Sequence, residues 1–164
     1  MLMRTEIIGG GSTNPREKSD WAKFDEDRFM NENDPLLAEI FDLLKKQHFS
    51  AILHKLKDRL TTCRRCSLFA RAAYELCYFA DAYEVLIKAI AMANSYDQKL
   101  YFNQRNHLYA NMIFLYRKMK NHRERIPVQW MQLFRFAAAR IKNGCYVTEA
   151  AYGYVHENAP VLLD

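Results

Sequence analysis

At 164 residues, half of them hydrophobic, the chain is long enough to bury a core as one domain without disulfide or metal staples. Five Gly and four Pro are too few for turn-rich β folds, and no run of about 18 apolar residues offers a membrane span. The net charge of +5 is uneven: residues 1–34 hold five Lys/Arg and eight Asp/Glu (net −3), whereas residues 35–164 hold nineteen and eleven (net +8).

The first segment reads as an acidic irregular leader over 1–34. Its Gly9-Gly10-Gly11-Ser12-Thr13-Asn14-Pro15 stretch has loop composition, and the aromatics from Trp21 to Phe29 are scattered among charges with no helical period. The leader is therefore expected to add little to the core. A basic helical domain over 35–164 follows. Asp34-Pro35 is a helix start, with a capping carboxylate ahead of a proline whose missing N–H costs the first turn nothing. Leu36, Leu37, Ile40, Phe41, Leu43 and Leu44 then share one helical face.

Ser50 is expected to cap a second helix through Ile52, Leu53, Leu56 and Leu60. A third runs from about Ser67 to Leu76. The pair Asp81 and Glu84 has capping-box spacing, which predicts a turn near Tyr78–Ala80 and a further helix through Val85, Leu86, Ala89 and Ile90. Leu108, Met112, Leu115 and Met119 mark another helix. Asn121 to Arg125 is polar, and Pro127 is expected to open a helix through Trp130, Phe134, Ala137 and Ile141 that Gly144 ends. A short last helix is expected from Thr148. The fold class is all-α, built as antiparallel helical hairpins or an irregular helical bundle.

The segment from Ala70 to Asn94 resembles a tetratricopeptide repeat. Ala70 and Ala82 occupy that family's small close-packing positions, Phe79 its aromatic place near the turn, and Leu86, Ala89 and Ile90 follow at its spacing. The hairpin around Phe49 fits the same frame with Ile52 where a small residue is usual, and Asn94 replaces the family's closing proline. The resemblance implies stacked helical hairpins that bind protein. Separately, Leu115-Tyr116-Arg117 is similar to the tripeptide of the LYR-motif family, whose members are small helical subunits of mitochondrial complexes. Lys118, Lys120, Arg123 and Arg125 follow it, and Phe134-Arg135 also suits that family.

Chemistry-bearing motifs are sparse. The glycine cluster has no Lys-Ser or Lys-Thr after it, and His48, His54, His107, His122 and His156 lack metal-protease spacing. Cys63-Arg64-Arg65-Cys66 has the spacing of half a zinc site, and its arginines favour thiolate. With no second pair and no βαβ context, buried structural thiols are the expected role. No metal and no cofactor are expected, and no catalysis.

The basic residues carry the remaining signal. Lys55, Arg59, Arg64 and Arg65 form one cluster with Lys57, and Arg117 and Lys118 open a second that reaches Arg125. These are the expected partner-binding residues. The function expected is that of a non-enzymatic adaptor or structural subunit of a larger intracellular assembly, with a protein partner. The alternatives are a helical RNA-associated subunit of a ribonucleoprotein, which makes nucleic acid a second possible partner, and an LYR-type mitochondrial subunit. Reduced thiols and an acid-rich first segment favour the cytoplasm over the mitochondrion.

Overall fold

The computed structural model describes residues 19–25, 34–95 and 98–142, and those residues form helices and turns without a strand. In chain order the helices are α1 (Asp20–Asp25), α2 (Pro35–Lys45), α3 (Phe49–Leu56), α4 (Cys63–Glu75), α5 (Phe79–Ser95), α6 (Gln98–Asn121) and α7 (Val128–Lys142). The all-α class is as expected. The stop at Gly144 and the helix from Thr148 lie outside the described residues. Two compact units, Met1–Ala89 and Ile90–Asp164, divide the chain inside α5.

In the first unit, α2 begins as its sequence dictates. Asp34 is extended, and its Oδ1 accepts the Leu36 N–H at 3.1 Å ahead of Pro35. α4 begins earlier than Ser67, because Thr62 supplies the cap by accepting the Arg65 N–H at 3.1 Å. The Cys63–Cys66 pair therefore lies in the first helical turn. α3 starts at Phe49 with no side-chain cap, so Ser50 sits inside the helix. α2 packs on α3 and α3 on α4. Leu37, Ile40, Ile52, Leu56, Leu68, Phe69 and Leu86 are fully buried there. The Cys63 thiol, at the start of α4, lies 3.4 Å from the Ala89 carbonyl, eleven residues into α5.

Of the leader, residues 19–25 and 34 are described, and the loop-like stretch 9–15 lies outside them. Ser19 Oγ accepts the Ala22 N–H at 3.1 Å and starts α1, and Trp21 is 0% exposed with its ring centroid 5.1 Å from that of Tyr74. An indole that finds an apolar seat gains far more than its acidic neighbours lose, since charged side chains on a short helix can still face water. Residues 1–34 were expected to add little to the core; within them Trp21 is buried.

Three helix ends share one bonding pattern. Gln47, Cys77 and Arg123 have φ of 59°, 62° and 55°. At each, the left-handed residue donates to the carbonyl three back and its successor to the carbonyl five back. The pairs are Gln47 to Leu44 and His48 to Leu43, Cys77 to Tyr74 and Tyr78 to Ala73, and Arg123 to Lys120 and Glu124 to Met119. This pair of hydrogen bonds satisfies carbonyls that the ending helix would leave orphaned. After the first two turns a phenylalanine, Phe49 or Phe79, opens the next helix. The turn expected near Tyr78–Ala80 thus exists, but it closes at Tyr78. Asp81 is inside the first turn of α5 and buried, so it is not the cap.

In the second unit α6 packs on α7. Every residue from Leu108 to Tyr116 is buried. Tyr116 meets Phe134 edge-on at 5.5 Å, and Tyr109 meets Phe136 at 5.7 Å. Phe134, Ala137, Ala138 and Ile141 turn one stripe of α7 inward. Pro127 precedes α7, its carbonyl accepting the Trp130 N–H at 3.0 Å, so the helix opens one residue later than the sequence suggests.

Candidate functional site

The first basic cluster is spread over the ends of α3 and α4. Arg65 forms a two-pronged pair with Asp34, Nε to Oδ2 at 2.9 Å and a terminal nitrogen to Oδ1 at 3.1 Å. Its other terminal nitrogen reaches the Arg59 carbonyl at 3.4 Å and Thr61 Oγ1 at 3.3 Å. Planar guanidinium against planar carboxylate is the strong form of this contact. The hydrogen bonds from Arg65 hold the Asp34 carboxyl below its usual range, and Asp34 in turn raises Arg65. Arg65 thus staples the start of α2 to the start of α4. Lys55 contacts Glu39 at 3.3 Å, an exposed pair of small energetic weight. Arg59 is exposed and Arg64 half-buried.

The cysteine pair is inside, with Cys66 donating toward the Leu60 carbonyl at 3.8 Å. Burial pushes the Cys66 thiol up to about 11 despite the opposing charge of Lys88. The arginines were expected to favour thiolate; burial instead dominates at Cys66, and the cation that opposes it is Lys88. Among the described residues no three His, Cys, Asp or Glu side chains come together in a way that would hold a metal ion. Asp81, 1% exposed, has no hydrogen-bond partner for either carboxylate oxygen among the described residues. Burial raises its pKa to about 6, and Glu84 adds to the shift.

The second cluster surrounds the α6–α7 corner. Leu115 and Tyr116 of the LYR tripeptide are core residues, and Arg117 and Lys118 are half-buried. Burial raises the Tyr116 phenol, with Arg135 and Arg117 opposing, and burial, with help from Lys118, lowers His122. Lys120, Arg123 and Arg125 are exposed. Beside them Arg125, Ile126, Pro127, Val128 and Gln129 line an open groove of about 390 Å³. Along α7, Val128 is 79% and Phe136 50% exposed. Eight residues separate them, close to two turns and a quarter, so they share the outward face with exposed Gln132 and Ala139.

The sequence pointed to Arg117 and Lys118 by charge alone, whereas the most accessible cations are the three that follow. α6 turns 117 and 118 partly inward and Lys120 outward, and Arg123 and Arg125 follow the end of the helix. Val128 and Phe136 drew no notice as surface residues because an apolar residue on an amphipathic helix is ordinarily assigned to the core.

No family model matches this chain, and no curated protein or solved structure matches it significantly.

Proposed function

We propose that the protein is a non-enzymatic binding module, an adaptor or a subunit of a larger assembly, that recognises a protein partner through its helical surface. The observation that carries this reading is the recurrence of one turn: Lys46–His48 before Phe49 and Leu76–Tyr78 before Phe79, thirty residues apart with the same bonding. Repeated helical pairs of this kind present continuous surfaces whose curvature suits a macromolecular ligand. Ala70 and Ala82, both fully buried, are consistent with the tetratricopeptide-like packing that the sequence suggests. The buried, raised Cys66 thiol also favours a structural cysteine pair over a redox one.

An RNA-associated role is the second reading, favoured by the exposed Lys120, Arg123 and Arg125. The test is capture from native extract on the full chain, with and without ribonuclease, followed by protein and RNA quantification. Protein partners that survive ribonuclease and moderate salt support the adaptor. Recovery of RNA with proteins that all leave on ribonuclease treatment overturns it, since phosphate contacts fall steeply with salt.

A further inference from the structure

We propose that the outward face of α7, together with the groove at its start, is a docking site for a short acidic segment of a partner protein carrying a large apolar side chain. The inference rests on the protein-binding reading above and names the surface and the chemistry it selects.

Charge identifies the partner. Residues 117–142 hold eight Lys/Arg against the single acid Glu124, a net of +7, while the whole chain nets +5; the remainder is therefore −2. Residues 35–116 hold eleven Lys/Arg against seven acids, a net of +4, so positive charge is densest in this corner. α7 itself contains no acid. Lys120, Arg123 and Arg125 are exposed in the segment that leads into α7, and Arg135 is exposed on it, so an approaching acidic segment is attracted and an approaching basic one is repelled. A second copy of this chain would bring the same charge to its own mirror, which argues against self-association here.

Shape identifies the anchor. Val128 and Phe136 are large apolar side chains left in water on one face. Phe136 is also held edge-on by buried Tyr109 at 5.7 Å, so its ring is in place before a ligand arrives and little ordering remains to be done on binding. The groove is lined by Ile126, Pro127 and Val128 together with Arg125 and Gln129. That combination, an apolar seat with a cationic rim, is the complement of an apolar residue flanked by carboxylates. A nucleic acid backbone would use the cations but would leave the aliphatic seat unfilled.

The test is selection of random peptides displayed against the full chain, followed by fluorescence anisotropy with the enriched peptides, an oligouridine and vesicles containing phosphatidylserine. Enriched peptides should combine several acids with one large apolar residue. Val128→Asp and Arg125→Glu should each weaken them about tenfold or more. Both substitutions are at exposed positions, and an aspartate in the first turn of α7 favours the helix; circular dichroism checks that folding is kept. Phe136→Ala provides a second apolar probe that leaves the charge untouched. Enriched peptides whose affinity ignores all three variants would overturn the site while leaving the protein-binding reading intact. No enrichment, with oligouridine or vesicles binding in its place and lost on Arg125→Glu, would overturn both.

Discussion

Trp21→Ala measures whether the leader belongs to the folded body. The Trp21 side chain is withdrawn completely from water and lies against Tyr74. An indole of this kind buries about 200–250 Å², which at about 25 cal/mol per Å² amounts to about 5–6 kcal/mol. That figure is an upper bound, because an unfolded chain already hides part of the ring. Releasing the six-residue α1, too short to persist alone, also returns chain entropy and avoids a rigid cavity. About 3 kcal/mol remains, near the lower end for Trp→Ala in a core. For a unit of this size each kcal/mol moves the melting temperature by about 4–8 °C, so the expected loss is roughly 12–24 °C. Thermal and urea unfolding of the full chain, followed by far-UV circular dichroism, reads it directly, with Trp21→Phe recovering most of the stability. A loss under about 1 kcal/mol would refute the packing argument and restore a leader that is independent of the core.

The remaining predictions concern single groups. Asp34→Ala removes both the α2 cap and the partner of Arg65 and should cost about 1–2 kcal/mol, read from urea unfolding. Because Arg65 lowers the Asp34 pKa, that contribution is present above pH 3.8 and disappears as the pH falls through the folded-state value. Asp81 has the opposite sign: its pKa rises from 3.8 to about 6, so its ionised form penalises the fold as the pH climbs through that window. Asp81→Asn should therefore stabilise at pH 7 by about 1–2 kcal/mol after allowance for solvent screening, and by nothing near pH 3.5; equal gains at both pH values would count against a buried carboxylate. Iodoacetamide at neutral pH should label half-buried Cys77 ahead of Cys63 and Cys66, as peptide mass mapping would show. Cys77→Gly should raise the melting temperature, since glycine accepts a φ of 62° without the roughly 1–2 kcal/mol that a side chain costs there.

Some of this structure was legible in the residues and some was not, for identifiable reasons. The start of α2 could be read because Asp34 and Pro35 act locally. The helix from Leu108 to Met119 showed because Leu108, Met112, Leu115 and Met119 recur at steps of four, three and four, although the structure buries the residues between Leu108 and Tyr116 as well. The ends of α2 and α4 were harder to place, since the residues that take the left-handed turn there are Gln47 and Cys77, and glycine is the stop signal that sequence reading relies on. Ser50 and Asp81 looked like caps, but caps depend on where the preceding turn closes, and those turns closed at His48 and Tyr78. Trp21 was missed because one aromatic amid acids has no period, and only tertiary contact with Tyr74 gives it a place. Within the candidate surface, the charge at 117–125 was visible, whereas the exposure of Val128 and Phe136 depends on which stripe of α7 faces α6.

The burial of α6 has a consequence for the order in which the second unit opens. All nine residues from Leu108 to Tyr116 are covered, so no single face of the helix can meet water through fraying of one neighbour. Amide hydrogens in this stretch exchange with solvent only when the packing around α6 comes apart as a whole, and they should share one opening free energy close to that of the entire unit. The start of α7 has the reverse character, with Val128 and Gln129 already at the surface. The second unit is therefore expected to show a slow-exchanging interior and a fast-exchanging rim when amide exchange is followed by mass spectrometry. A ligand seated on α7 would register as new protection at residues 128–136 against an unchanged background at 108–116.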